Sequence, residues 1–202
     1  MRPETPWILV VVLLSAACGE HVANTDGPNT VGNAAVAAAA VPETRSDDAA
    51  TLEPPFTAEQ IRDEWVEGFS VTMRRGTPDQ DRIERWTVLT ADAEGADIEF
   101  AAISDDGAVL GEPIVAHSSW VELRDHASFP AATASREWIT HKTQLGDLEG
   151  WLYRVPEEGS EAVSEFFFAA SLPGAPVWMT TSENGQVVFE LEQVKRSRPA
   201  NP

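Results

Sequence analysis

Asp125 and His126 adjoin, with Ser118, Ser119 and Ser128 close by in the chain. A serine, a histidine and a carboxylate are the parts of a nucleophilic hydrolase. The spacing argues against that chemistry. No Gly-x-Ser-x-Gly elbow occurs. Adjacent side chains on a helix point about 100° apart, so Asp125 would not orient His126. The pair fits a helix C-terminus, with His126 meeting the terminal carbonyls. His117, His126 and His141 could offer imidazole nitrogens to a metal, but no His-x-x-x-His or Cys-x-x-Cys spacing accompanies them. Asp79, Asp81 and Glu84 follow Gly76-Thr-Pro78. They lack the calcium-loop pattern and read as a solvated turn. The chain is therefore expected to be no enzyme, with no catalytic residues, no metal and no cofactor.

Cys18 is the one cysteine in 202 residues. It closes the apolar run Trp7-Ile-Leu-Val-Val-Val-Leu-Leu-Ser-Ala-Ala-Cys18. The run is about half the ~20 residues needed to span a bilayer. It matches the core of an export signal, with Arg2 in front and small residues before the cut. An apolar run, small residues and then cysteine resemble a bacterial lipoprotein signal peptide, although Ser15 stands where leucine is usual. The resemblance implies removal of residues 1–17, acylation of Cys18 and a lipid anchor in the cell envelope. Gly19 after the cysteine resembles outer-membrane retention, facing the periplasm.

Residues 18–55 hold Gly, Asn, Thr, Asp, Pro and an alanine run at 34–40. No large apolar residue recurs at a structural period, so burial cannot offset ordering entropy. This segment reads as a disordered tether. Residues 56–196 read as one globular domain, and 197–202 as a disordered tail. The formal charge of −19 excludes nucleic acid, whose phosphates would be repelled. Anionic headgroups are repelled too, so membrane contact falls to the anchor.

The elements follow from capping and alternation. Thr57 and Gln60 have capping-box spacing before Ile61 and Trp65, which predicts a helix over 58–67. Ser119 and Glu122 repeat the signal, with Trp120, Leu123 and Ala127 on one face. Pro130 stops that second helix. Alternating runs at 69–73, 86–90 and 96–100 read as strands. A five-strand antiparallel meander follows, over 136–143, 151–155, 163–170, 177–181 and 187–194. Its separators are Gly146-Asp147, Glu158-Gly159, Pro173-Gly174 and Asn184-Gly185. The class is α+β: a single domain with a curved antiparallel sheet or half-barrel of eight or nine strands and two helices. Val187, Phe189 and Leu191 share one strand face, as do Trp151, Tyr153 and Val155, so the sheet should have one apolar and one solvated side. Phe166-Phe-Phe168 sends rings to both faces and demands burial on both, or an exposed patch.

Gly150-Trp-Leu-Tyr153, Glu165-Phe-Phe-Phe-Ala169 and Leu172-Pro-Gly-Ala-Pro-Val177 resemble strands of uncharacterised exported proteins. The whole pattern resembles the half-barrel fold of the outer-membrane lipoprotein carriers and receptors. That resemblance implies a hydrophobic cavity between sheet and helices. Trp120 is then the expected lid, and Trp138, Trp151 and Tyr153 the expected wall, for an apolar ligand. The competing expectation is a packed core and an envelope domain that meets other proteins. An enclosed apolar cavity would favour the first, a filled core with exposed aromatic surface the second.

Overall fold

The structure is a computed structural model, and it describes residues 50–77 and 80–199. Its elements run α1 (Ala58–Glu64), β1 (Ser70–Thr77), β2 (Gln80–Ala91), β3 (Gly95–Ile103), β4 (Ile114–Ser119), α2 (Trp120–Asp125), β5 (Ser135–Thr143), β6 (Gly146–Pro156), β7 (Val163–Ala169), β8 (Trp178–Glu183) and β9 (Gln186–Ser197). The strands form one open antiparallel sheet in the order β4-β3-β2-β1-β9-β8-β7-β6-β5. The expected α+β architecture, one antiparallel sheet of eight or nine strands with an N-terminal and a mid-chain helix, is found, with nine strands.

This topology requires curvature. β4 and β5 are consecutive in the chain yet lie on opposite edges. Nine strands laid flat would be about 38 Å across. The connection holds α2, six residues long, and a short coil to Ser135. A six-residue helix covers only about 9 Å. The link reaches with almost nothing to spare, so the edges must curl toward each other and α2 must cross the concave face. α1 joins it there. Phe56, Ile61, Trp65, Trp120 and Ala127 pack with Phe69, Val71, Met73, Val88, Ile98, Tyr153 and Phe168 in one core.

Both helices start where the sequence places them. Thr57 and Ser119 each carry a complete capping box. α1 ends at Glu64, earlier than expected, because Trp65 leaves helical geometry and sends its indole N–H to the Pro173 carbonyl at 2.9 Å. Arg196 pins the same corner. Its guanidinium donates to Glu64 Oε1 and to the Leu172 and Pro173 carbonyls, and it packs on the Phe69 ring.

Four expectations are corrected. First, the sheet does not have one solvated side. Leu152, Phe167, Ala169 and Val177 form a second core on the convex face, with Ile139, Leu145, Leu148, Leu172 and Trp178 around it. The β5–β6 hairpin folds down onto that face. His141 sits against Phe167 and Trp178, and the Gln144 N–H reaches Glu192 Oε1 on β9. Gly150 allows the close approach of β6 to β7, since a Cβ there would lie 2.0 Å from the Phe168 carbonyl oxygen. Phe167 and Phe168 are thus buried in the two cores, and the half-buried Phe166 packs against the first. Second, the β5–β6 turn is Gln144-Leu145, and Gly146 already belongs to β6. Third, the fold begins before residue 56. The Leu52 N–H bonds the Phe129 carbonyl, and the Ala131 N–H bonds that of Ala50. Fourth, the expected tail is partly built in: Ser197 ends β9, and Arg198 donates to the Asp63 carbonyl.

Candidate functional site

The four residues expected to hold an apolar ligand do not share one environment. Trp120, the first residue of α2, is 4 % exposed, and its indole N–H is bound to the Asp92 carbonyl at 2.9 Å. A side chain fixed at both ends is a core strut, not a free lid. Tyr153 on β6 is fully buried between Phe129 and Phe168, and its hydroxyl donates to the Glu53 carbonyl at 2.7 Å. Burial, partly countered by the nearby Arg136, pushes the phenol above its ordinary value. Trp138 and Trp151 face each other across β5 and β6. Their rings meet edge to face at 5.2 Å, and the Arg136 guanidinium lies 4.5 Å above Trp151. Trp138 is 50 % exposed. The structure thus brings Trp138 and Trp151 together on the rim and sends Trp120 and Tyr153 into the core.

Grooves open on the surface of the described residues. One of about 460 Å³ is lined by Arg74, Arg75, Asp81, Phe189, Glu190 and Glu192, among others. Another of about 380 Å³ lies beside Arg62, Val66, Glu67, Ala91, Asp92 and Ala93. Both are open and rimmed by charge, and none of the four candidate residues lines either. Among the described residues, side chains of the principal core occupy the concave face under α1 and α2.

The reactive groups are dispersed. Asp125 pairs with Arg124 at 2.7 Å. His117 bonds Asp97 at 2.9 Å on exposed strand surface, and Asp97 also accepts from Thr90. Those bonds, the one from His117 first, hold the Asp97 carboxyl below its ordinary value. This histidine–carboxylate pair was missed in the sequence because its members are twenty residues apart on neighbouring strands. His126 caps the end of α2, while His141 packs at a tilt against Phe167 and Trp178 on the opposite face, so the three histidines do not converge. Among the described residues no three His, Cys, Asp or Glu side chains are placed to hold a metal. Asp81 and Glu84 lie on β2 rather than in a loop, bound to Arg74 and Arg75. Asp79 and Cys18 lie outside the described residues. Among the described residues no helix is long and apolar enough to cross a membrane.

With the geometry set out, comparison with known proteins adds the fold. No family model matches the chain, and no curated protein does. Solved structures do match. MucB in complex with MucA(peri) aligns with a TM-score of 0.50 at 13 % identity, over 72 % of this chain and 54 % of that one. The Pseudomonas aeruginosa MucA/MucB complex gives 0.49 and 13 %, over 72 % and 55 %. A Bacteroides fragilis protein with a YmcC-like fold gives 0.41 and 12 %, over 65 % and 96 %. The chain spans about half the length of the MucB chains it matches. The likeness is one of fold, and it agrees with the half-barrel resemblance read from the sequence.

Proposed function

We propose that this chain is an envelope lipoprotein whose folded domain binds another protein and carries out no catalysis. One observation bears most of the weight. The concave face, where a carrier would keep space for an acyl chain, is occupied by Trp120, Tyr153 and their neighbours with polar tips satisfied. Apolar surface stands outside instead, at Trp138 and along β4. Exposed apolar surface of that kind suits a macromolecular partner. The MucB structure is consistent with this reading, since there MucB stands in complex with MucA(peri). Acylation of Cys18 and residence at the outer membrane, facing the periplasm, complete the proposal and rest on the signal-like run.

Two measurements test it. Cys18→Ser should release the protein from membranes or leave an unprocessed precursor; a mutant that still matures and sediments with membranes overturns the anchor. An environment-sensitive fluorescent fatty acid should give no saturable signal with the folded domain. Saturable binding that Trp120→Ala abolishes without unfolding the domain would restore the carrier reading.

A further inference from the structure

The edge strand β4 carries an inference that rests on the interaction reading and makes it specific. Ile114–Ser119 pairs with β3 on one side and stands at the sheet edge on the other. The Trp120 N–H to Glu94 carbonyl bond extends this ladder by one residue. That fixes its phase. Ala96–Ser118, Ile98–Ala116 and Phe100–Ile114 are the hydrogen-bonded pairs, while Asp97–His117 and Glu99–Val115 are not. The close approach at Gly95–Ser119, where a Cβ would lie 2.4 Å from the Ser118 carbonyl oxygen, fits the same phase. The N–H and C=O groups of Val115 and His117 therefore point away from the sheet. The Ser119 N–H is already taken by the Glu122 carboxylate.

The side chains do nothing to discourage a visitor. Ile114 is 57 % exposed and Val115 is 55 % exposed, on opposite faces of the strand. Val109 and Leu110 extend the apolar surface. Native edges are usually blunted by charge, proline or cover. The far edge is blunted: β5 carries Arg136, Glu137 and Lys142, and its hairpin tip is folded down onto β9. β4 has no Lys, Arg, Asp or Glu. The charge around it has one dominant sign. Glu99 stands beside Val115, Asp97 holds His117, and Asp105, Asp106 and Glu112 are exposed in the connection to β4. Arg85, opposite Ala101 on β2, lies one strand further in.

We propose that β4 is a docking edge for an extended segment of a partner protein in which apolar residues alternate with basic ones. The partner's backbone completes the hydrogen bonds of Val115 and His117. Its apolar side chains cover Ile114 on one face, and its cations, on the other face beside Val115, meet Glu99 and the acids of the β3–β4 connection. Charge argues against a second copy of this chain as the occupant. Pairing β4 with itself would bring two acidic flanks together on a chain of charge −19.

The probe is a synthetic octapeptide alternating lysine with valine, and its control has glutamate in place of lysine. Amide exchange of the folded domain is followed with each. The lysine peptide should slow exchange at Val115 and His117 by roughly tenfold or more, and the glutamate peptide should not. Val115→Pro should abolish the effect while leaving the fold intact, because the N–H it removes makes no bond within the sheet. Should that variant fail to fold, Glu99→Gln gives the second reading: the lysine peptide should bind several-fold more weakly, and the difference should shrink in high salt. Peptide binding without protection at β4 overturns the proposal but leaves an interaction domain whose surface is elsewhere. No binding by either peptide also overturns it; crosslinking in the native envelope then tests the interaction reading separately. A concentration-dependent dimer lost in Val115→Pro would overturn it in favour of self-pairing.

Discussion

At the scale of single residues, Tyr153 is the most informative reporter because it is the chain's one tyrosine. Its hydroxyl ties β6 to the Glu53 carbonyl, a hundred residues away. Burial raises its pKa above the ordinary 10.0. An acid whose folded pKa is raised contributes stability in full below the unfolded value, and that contribution is lost as pH rises through 10 and beyond. Tyrosinate absorbance of the native domain should therefore rise with a midpoint above 10.0, and the denatured chain should titrate near it. Tyr153→Phe should cost about 1 kcal/mol. It should also speed amide exchange at Leu52, since Glu53 would then keep only its bonds to Arg136. Trp120 makes a different prediction. Trp120→Ala should destabilise the domain by about 3–5 kcal/mol, as expected for emptying a packed core site, when measured by denaturant unfolding.

Among the elements, α2 is short enough that its cap decides its survival. The Ser119 N–H bonds the Glu122 carboxylate at 2.8 Å. That backbone bond first, and the Ser119 hydroxyl second, hold Glu122 below its ordinary 4.5. A carboxylate with a depressed folded pKa stabilises the folded state above its unfolded value, and the benefit is lost as pH falls through the folded one. The Ser119 amide resonance should therefore titrate with a midpoint below 4.5, and Glu122→Gln should remove that titration. A second test concerns Gly150, where any side chain meets the Phe168 carbonyl. Gly150→Val should disrupt the β6–β7 pairing, seen as lost amide protection at Phe168 and at Ala170, whose N–H bonds the Glu149 carbonyl.

The same elements show what the sequence made legible. Caps and turns are local signals: Thr57, Ser119 and Asn184-Gly185 were all readable, and the last pair does adopt positive φ at 52° and 75°. β4 did not stand out. Its residues are exposed on both faces, so no alternation marks it. The convex core was hidden because it depends on the β5–β6 hairpin folding over, which no local pattern encodes. The candidate site fared similarly. Trp120, Trp138, Trp151 and Tyr153 fall on a helix and two strands, but the fold divides them into two core positions and a rim pair, a division that residue type and alternation do not encode. That Leu52 and Glu53 are tied into the fold was obscured because their partners, Phe129, Arg136 and Tyr153, are remote in sequence.

For the whole molecule, two helices and nine strands share one principal core, so residues 50–199 should unfold in one step. Coincident loss of tryptophan fluorescence and far-ultraviolet circular dichroism would check this; separated transitions would divide the sheet into independent halves. The division, if any, would fall between β1 and β9, where the first and last strands of the sheet meet. That pairing sets an order of events. β1 to β4 and β5 to β9 are each series of neighbouring hairpins that need only nearby chain. Joining them needs β9, the last twelve residues of the sheet to be synthesised. A ribosome delivering this chain from its N-terminus keeps the central seam open until the last strand of the sheet has emerged. The latch of the fold is thus the part that arrives last.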